Sequence, residues 1–157
     1  MTVSIRSAEA RDLPAVAVLA GLLVRQHHEF DAQRFLLIPH VEAGYARFFA
    51  SQLPDPDVLI LVAERDAAIV GYAYARLEPR DWNSLLDACG ALHDLFVSDT
   101  ARRQGVARSL VEAVRDRLRQ KGAPRLVLHT ASKNATARRF FAALGFRETM
   151  IELTQEL

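Results

Sequence analysis

The sequence of 157 residues has a single cysteine, Cys89, and only five histidines. One cysteine cannot form an internal disulfide, and without a second cysteine or a cluster of histidines it forms no metal-binding motif. We therefore expect a protein of a reducing compartment that holds no metal.

The sequence also lacks an excess of charge of either sign. Its 20 Lys and Arg residues and 19 Asp and Glu residues leave a formal net charge of +1. This balance gives no reason to expect a nucleic acid or an anionic membrane as a partner. Residues 1–6 have no apolar signal core, and no apolar run approaches the roughly 20 residues that a membrane span requires. We expect a cytoplasmic protein.

Half of the residues are hydrophobic (50%) and a quarter are charged (25%), which is typical of a soluble globular domain. We expect residues 1–157 to form one domain. Apolar and polar residues alternate over residues 3–7 as in a short edge strand. Asp12, with a proline two positions later, predicts a helix that runs through Val24. Residues 25–39 have no clear periodicity, and we interpret them as a surface loop or broken helix that forms a lid.

The rest of the chain divides into short apolar runs with helical or strand periodicity. The predicted elements are a helix over residues 41–53, an antiparallel hairpin of 58–63 and 69–77, a strand over 91–97, a helix over 105–120, a strand over 126–130, a helix over 134–144 and a last strand over 149–154. This order predicts an α/β (α+β) fold, a mixed sheet flanked by helices.

The most informative segment is the basic, glycine-containing turn that leads from the predicted strand over residues 91–97 directly into a helix. Free N–H groups and the positive end of the dipole make a helix start a good anion site. Gly105 lets phosphate oxygens approach the backbone closely, and Arg102, Arg103 and Arg108 add positive charge. Taken alone, the motif leaves open a tight turn eased by glycine, with solvated arginines around it.

Two motifs resemble the GCN5-related N-acetyltransferase (GNAT) superfamily. That family carries Q/R-x-x-G-x-G/A between its fourth strand and third helix, which residues 102–107 match. Its last helix carries N-x-x-A, an aromatic residue and a closing G-F. The matching residues are Asn134, Ala137, Phe140, Phe141, Gly145 and Phe146. A looser match at residues 5–6, 12–14 and 71–72 extends the resemblance over nearly the whole chain.

The resemblance implies a mostly antiparallel sheet of six or seven strands, flanked by about four helices and splayed after the fourth strand. It also implies acetyl-CoA as cosubstrate, with its pyrophosphate on the backbone amides of residues 103–108. The pantetheine arm would pair with the predicted strand, and Asn134 would meet it from the other side. The implied cofactor-binding residues are Leu95, Phe96, Val97, Arg102, Arg103, Gln104, Gly105, Val106, Ala107, Arg108, Asn134, Ala137, Phe140 and Phe141. Asn134 also suits a helix N-cap.

Two residues of the predicted strand are candidates for the catalytic work. If Leu95 and Val97 set the alternation of the strand, His93 projects to their side and Asp94 to the opposite side. Histidine titrates near neutrality and can accept a proton, directly or through water, whereas Asp94 is suited to attracting a cationic amine. Some family members have a base at about the position of His93. A histidine on a strand also serves often as a purely structural residue.

The sequence departs from the family at Phe141. Many members have a tyrosine seven residues after the helix-starting asparagine, where it protonates the CoA thiolate. Phenylalanine cannot donate a proton, so water or another group must do so, the transfer must be slow, or the site only binds acyl-CoA. Tyr45, Tyr72 and Tyr74 are possible substitutes, and the sequence assigns none of them.

We expect direct acetyl transfer from acetyl-CoA to a primary amine of a small molecule. We expect no covalent enzyme intermediate, because Cys89 lies before the predicted cofactor strand and outside both motifs. A protein N-terminus or lysine is an alternative acceptor, and a non-catalytic acyl-CoA sensor is an alternative of another class. The family often forms dimers, and the apolar C-terminal strand provides a possible homodimer contact. The sequence does not identify the acceptor.

Overall fold

A computed structural model describes residues 2–157. Within these residues the chain forms one five-stranded sheet, in the order β1-β2-β3-β4-β5, and four α-helices. The strands are β1 (Ser4–Ser7), β2 (Val58–Arg65), β3 (Ala68–Glu78), β4 (Cys89–Val97) and β5 (Leu126–Leu128). The helices are α1 (Leu13–Phe30), α2 (Val41–Gln52), α3 (Val106–Gln120) and α4 (Ala135–Ala143). The mixed, mostly antiparallel sheet is confirmed, because only β4 and β5 pair in parallel.

The expected sixth and seventh strands are wrong. Residues 149–154 form no β pairing within residues 2–157, and Met150 and Leu153 are 76% and 89% exposed. A short apolar run does not by itself specify a neighbouring strand to pair with.

The predicted end of α1 at Val24 is also wrong, because the helix continues to Phe30. Residues 25–30 include His27, His28 and Glu29, so the apolar periodicity stops although no helix breaker is present. The two histidines lie in the last turn, where cationic side chains interact favourably with the helix dipole. Only residues 31–40 connect α1 to α2.

Two apolar cores cover the two faces of the sheet. On one face, Leu61, Ala73 and Leu92 pack with the buried stripe of α3. On the other face, Val62 and Tyr72 pack with α1 and α2. Because β2 and β3 are buried on both faces, they read as nearly continuous apolar runs.

The sheet opens between β4 and β5. The two strands pair only at Gly90–Leu92 of β4, so residues 93–97 have no β neighbour on that side. This opening is the predicted splay after the fourth strand. It gives an extended ligand access to unpaired strand backbone. None of the helices within residues 2–157 is long and apolar enough to cross a membrane.

Candidate active site

The loop before α3 presents a row of unused backbone donors. The N–H groups of residues 103–108 make no hydrogen bond with any described part of the chain, whereas the next one, of Ser109, donates to the Gly105 carbonyl. Arg103 (φ 60°) and Gly105 (φ 77°) are both left-handed. Consecutive N–H groups at such residues form a concave anion site. A Cβ at Gly105 would have no neighbouring atom within 4 Å, so the backbone there is open to a ligand.

The arginines around this loop differ in their contacts. The Arg102 guanidinium pairs with Asp99 at 2.7 Å, donates to the Val97 carbonyl at 3.2 Å and lies 5.5 Å from the centroid of the Phe96 ring. Arg102 therefore fixes the loop to the end of β4. Arg103 is exposed, and Arg108 has only a 3.7 Å contact with Glu112. The positive charges of Arg103 and Arg108 are therefore less neutralised by neighbouring groups than that of Arg102.

The remaining loop and helix residues have structural contacts of their own. Gln104 contacts Arg65 and the Thr100 carbonyl, while Val106 and Ala107 begin α3 against the core. The Asn134 side chain caps α4 by accepting the Ala137 N–H at 3.1 Å, so the N-cap role is confirmed and its amide NH₂ is not used by the cap.

The residues that follow the cap are apolar core residues. Ala137 and Phe140 pack against the core on the α3 side of the sheet. Phe141 is buried there, with its ring next to those of Phe140 and Phe146. Position 141 therefore contributes a buried aromatic ring and no hydroxyl group.

A β-bulge in β4 changes where His93 points. Tyr74 pairs with Asp94 and Ala75 pairs with Leu92, so His93 is an extra residue without a partner on β3. Its ring stacks on Tyr74 at 5.4 Å between centroids, on the α1 and α2 face. The predicted placement of His93 on the side of Leu95 was therefore wrong, because the bulge interrupts the alternation. His93 and Asp94 lie on the same face.

His93 and Asp94 have separate hydrogen-bond partners on β3. His93 Nε2 lies 2.8 Å from Glu78 Oε1, and the Tyr72 hydroxyl donates to Asp94 Oδ2 at 2.9 Å. Burial raises the pKa of Asp94, although the Tyr72 hydroxyl and the nearby His93 and His27 oppose this shift. Within residues 2–157, Asp94 has no cationic partner at hydrogen-bond distance, so a cationic ligand placed beside it would stabilise its ionised form.

Three tyrosines surround Asp94 and retain their protons at neutral pH. Burial and the charge of Asp94 raise the pKa of Tyr45 to about 12, and they raise that of Tyr72 well above its ordinary value. Burial also raises the pKa of Tyr74, whose hydroxyl donates to Gln52. Across residues 2–157, His, Cys, Asp and Glu side chains form no group of three or more that could hold a metal ion.

An open apolar cavity of about 310 Å³ lies on the same face of the sheet. It is lined by Val24 of α1, Leu36 and Ile38 of the connection, and Val41, Tyr45 and Phe48 of α2, with Gly44 beside them. Leu36 and Ile38 are 67% and 54% exposed. Neighbouring exposed apolar side chains at a cleft are typical of a binding site.

Sequence reasoning missed Glu78 and the cavity, and it named Tyr72 only as a possible proton donor and not as the partner of Asp94. Glu78 reaches His93 across the bulge, 15 positions away in sequence, and the bulge has no sequence signal. The apolar run Leu36-Leu37-Ile38, inside a segment interpreted as a loop, was a usable signal, because three apolar residues in an exposed connection need a reason.

Comparisons with known proteins cover both the loop before α3 and the start of α4. A model of the acetyltransferase (GNAT) family matches residues 21–146. The uncharacterized N-acetyltransferase YhfO of Bacillus subtilis is 30% identical over 145 residues, 92% of this chain and 90% of that protein. An aminoglycoside N(6')-acetyltransferase type 1 of Serratia marcescens is 38% identical over 79% of this chain and 75% of that protein. The solved structure of an aminoglycoside N-acetyltransferase in complex with CoA has a TM-score of 0.82 at 21% identity, covering 99% of this chain and 95% of that chain.

Proposed function

The chain belongs to the acetyltransferase (GNAT) family, and we propose that this acetyltransferase moves an acetyl group from acetyl-CoA directly to a primary amine of a small molecule. The observation that carries the proposal is the row of free N–H groups at residues 103–108. The relative from Serratia marcescens, named for an aminoglycoside, supports a small-molecule amine as acceptor. We treat residues 1–157 as one catalytic domain. The cytoplasmic location and the homodimer stay predictions.

The residues present fit acetyl-CoA, which supplies an acetyl group activated as a thioester and leaves as the thiol. The N–H groups of residues 103–108 would hold the pyrophosphate, together with the charges of Arg103 and Arg108. The free backbone of Leu95, Phe96 and Val97 would align the pantetheine arm in the opening beside β4. The free amide of Asn134, with Ala137, Phe140 and Phe141 behind it, would bound this opening from α4.

His93 and Asp94 would act on the acceptor amine. Asp94 attracts the ammonium form, and His93 accepts the proton that must leave before the amine lone pair can attack the acetyl carbon. A C–N bond then forms and the C–S bond breaks. The amine gives up two protons in all, of which the thiol takes one and solvent takes one. Glu78 holds the His93 ring in one orientation.

The route of the second proton does not pass through Phe141. Water in the open cleft is the donor that the arrangement favours for the thiolate, because Tyr72 and Tyr74 have their hydroxyls directed at Asp94 and Gln52. A covalent enzyme intermediate is disfavoured. Cys89 lies at the start of β4, inside the strand and not before it, and burial raises the pKa of its thiol.

The test is CoA release from acetyl-CoA with a panel of amines, in the native protein and in Gly105→Glu. A side chain at Gly105 fills the open space before α3 and adds a negative charge to it. We expect acetyl-CoA affinity to fall at least about 100-fold, equivalent to two charge-assisted hydrogen bonds of about 1.5 kcal/mol each.

Gly122→Glu is the matched control. Gly122 lies at the other end of α3, is also left-handed (φ 90°), and a Cβ there would also have no neighbouring atom within 4 Å. This variant should retain both binding and activity. Tight acetyl-CoA binding without CoA release from any amine would identify a sensor and refute the proposed enzyme. Release with peptides alone would identify a protein acetyltransferase.

A further inference from the structure

The apolar cavity is connected to the proposed catalytic residues through aromatic rings. Phe48, in the cavity wall, meets the edge of Tyr74 at 5.6 Å between centroids, and Tyr74 stacks on His93 at 5.4 Å. Tyr45 lines the cavity and is near enough to Asp94 for the carboxylate charge to raise its pKa. Tyr45 therefore borders both the cavity and the surroundings of Asp94, and an acceptor with its amine at Asp94 would extend along Tyr45 toward the cavity.

The charge around the cavity suits an acceptor with one amine. The side chains that line the cavity carry no charge at neutral pH, because their one ionisable group, the Tyr45 hydroxyl, stays protonated. The lining side chains are those of Val24, Leu36, Ile38, Val41, Tyr45 and Phe48. The nearest carboxylate on α2, Glu42, is paired with Arg25 at 2.6 Å. Glu78, the other carboxylate beside His93, is hydrogen-bonded to the His93 ring, so Asp94 is the carboxylate left for an ammonium group. A second or third ammonium group of the same acceptor would lie among apolar side chains.

The apolar walls of the cavity disfavour a heavily hydroxylated body. A cavity of about 150 Å³ with apolar walls accommodates benzene, so about 310 Å³ admits a ring with a short chain or a medium alkyl chain. Each hydroxyl or amine that is buried there without a partner lowers the affinity about 5- to 150-fold. Sugars and polyamines carry several such groups.

We propose that the acceptor is an amphipathic primary monoamine, with an aryl or alkyl body in the cavity between α1 and α2 and its ammonium group at Asp94. This inference rests on the proposed acetyl transfer and narrows its substrate class. It distinguishes the expected acceptor of this chain from the aminoglycosides that appear in the names of some relatives.

The test compares kcat/KM for 2-phenylethylamine, hexylamine, ethylamine, spermidine and an aminoglycoside. The aryl and hexyl amines should exceed spermidine and the aminoglycoside by about 10-fold or more, which is the discrimination that apolar pockets give. Gly44→Leu places a side chain into the cavity, where a Cβ at Gly44 meets no atom within 4 Å. It should lower kcat/KM for phenylethylamine about 10-fold and that for ethylamine less than about 3-fold. Gly44→Ala should have kcat/KM values between those of the native protein and those of Gly44→Leu.

A second pair of variants removes apolar surface without adding volume. Ile38 and Val18 are both β-branched and are 54% and 55% exposed, but only Ile38 lines the cavity. Ile38→Gln should weaken phenylethylamine and hexylamine selectively, and Val18→Gln should not. The CoA affinity of each variant shows whether it is folded. If Gly44→Leu does not bind CoA, the comparison of Ile38→Gln with Val18→Gln tests the inference in its place.

Two results would overturn the inference in distinguishable ways. A preference for the aminoglycoside or spermidine that Gly44→Leu and Ile38→Gln leave unchanged would refute the monoamine class while acetyl transfer stands. An absence of CoA release with every amine, despite CoA binding, would refute the proposed function and the inference with it.

Discussion

The loop before α3 and the proposed acceptor side of β4, which faces α1 and α2, present different kinds of atoms to a ligand. In the loop, the donors are the backbone N–H groups of residues 103–108, held by two left-handed residues and by one helix start. On the acceptor side, the polar groups are the side chains of Tyr72, His93 and Asp94, and the cavity is built by three separate segments. A backbone site tolerates most side-chain changes, whereas a side-chain site depends on each residue.

This difference separates the two binding steps in experiments. Substitutions on the acceptor side should change the reaction with amine and leave CoA affinity unchanged. An acceptor-side substitution that changed CoA affinity as strongly as the reaction with amine would contradict this separation.

The largest effect on the acceptor side is expected for His93→Ala. Loss of a general base lowers the rate by about 10²–10⁴-fold, and the acidic limb of the pH profile should disappear with it. The measurement is kcat/KM for the best amine from pH 5 to 9, with CoA affinity in parallel. A variant with the acidic limb of the native protein would contradict the assignment of His93 as base.

A smaller loss is expected for Asp94→Asn, which retains the shape of the side chain and removes its charge. A hydrogen bond to a charged group contributes about 1.5–3 kcal/mol, so kcat/KM for the amine should fall about 10- to 100-fold. The fall should appear mainly in the KM of the amine. An equal loss with a neutral acceptor such as hydroxylamine would show that Asp94 does not act through charge.

The smallest effects concern stability, where two carboxylates should respond with opposite signs. Arg6 holds Asp12 by hydrogen bonds of 2.7 and 2.9 Å and lowers its pKa, so its contribution is present at neutral pH and is lost as the pH falls through the lowered pKa. Burial raises the pKa of Asp94, so ionising Asp94 costs stability as the pH rises through the raised pKa.

Asp12→Asn should therefore destabilise the protein at pH 7 by about 1–2 kcal/mol, and Asp94→Asn should stabilise it. The Asp94 difference should shrink toward about pH 4, near the ordinary pKa of aspartate. The Asp12 difference should persist at that pH, because it is lost only as the pH falls further, through the lowered pKa of Asp12. Urea unfolding at the two pH values measures them. Changes of the same sign at pH 7 would contradict the view that Asp94 is retained for binding at a cost in stability.

The same contrast explains what could be predicted from the sequence. Gly105 and Asn134 were identified because a left-handed turn and a helix cap are local, and each has a strong residue preference. The face of His93 was wrong because a bulge depends on the partner strand, which the sequence of one strand does not contain. The final strand was wrong for a related reason, since residues 149–154 have the pattern without a neighbour.

The cavity could not be assembled from sequence, since Val24, Leu36 and Phe48 come together only through the packing of α1 against α2. Its chemical character was nevertheless present in the exposed apolar residues 36–38.

The most direct test of cofactor binding is an NMR titration of the isotope-labelled protein with CoA, following each backbone amide. We predict that the N–H resonances of residues 103–108 shift most, toward the low field typical of charge-assisted hydrogen bonds to phosphate. Gly122 should not shift. Saturable CoA binding that leaves residues 103–108 unperturbed would contradict the proposed pyrophosphate site.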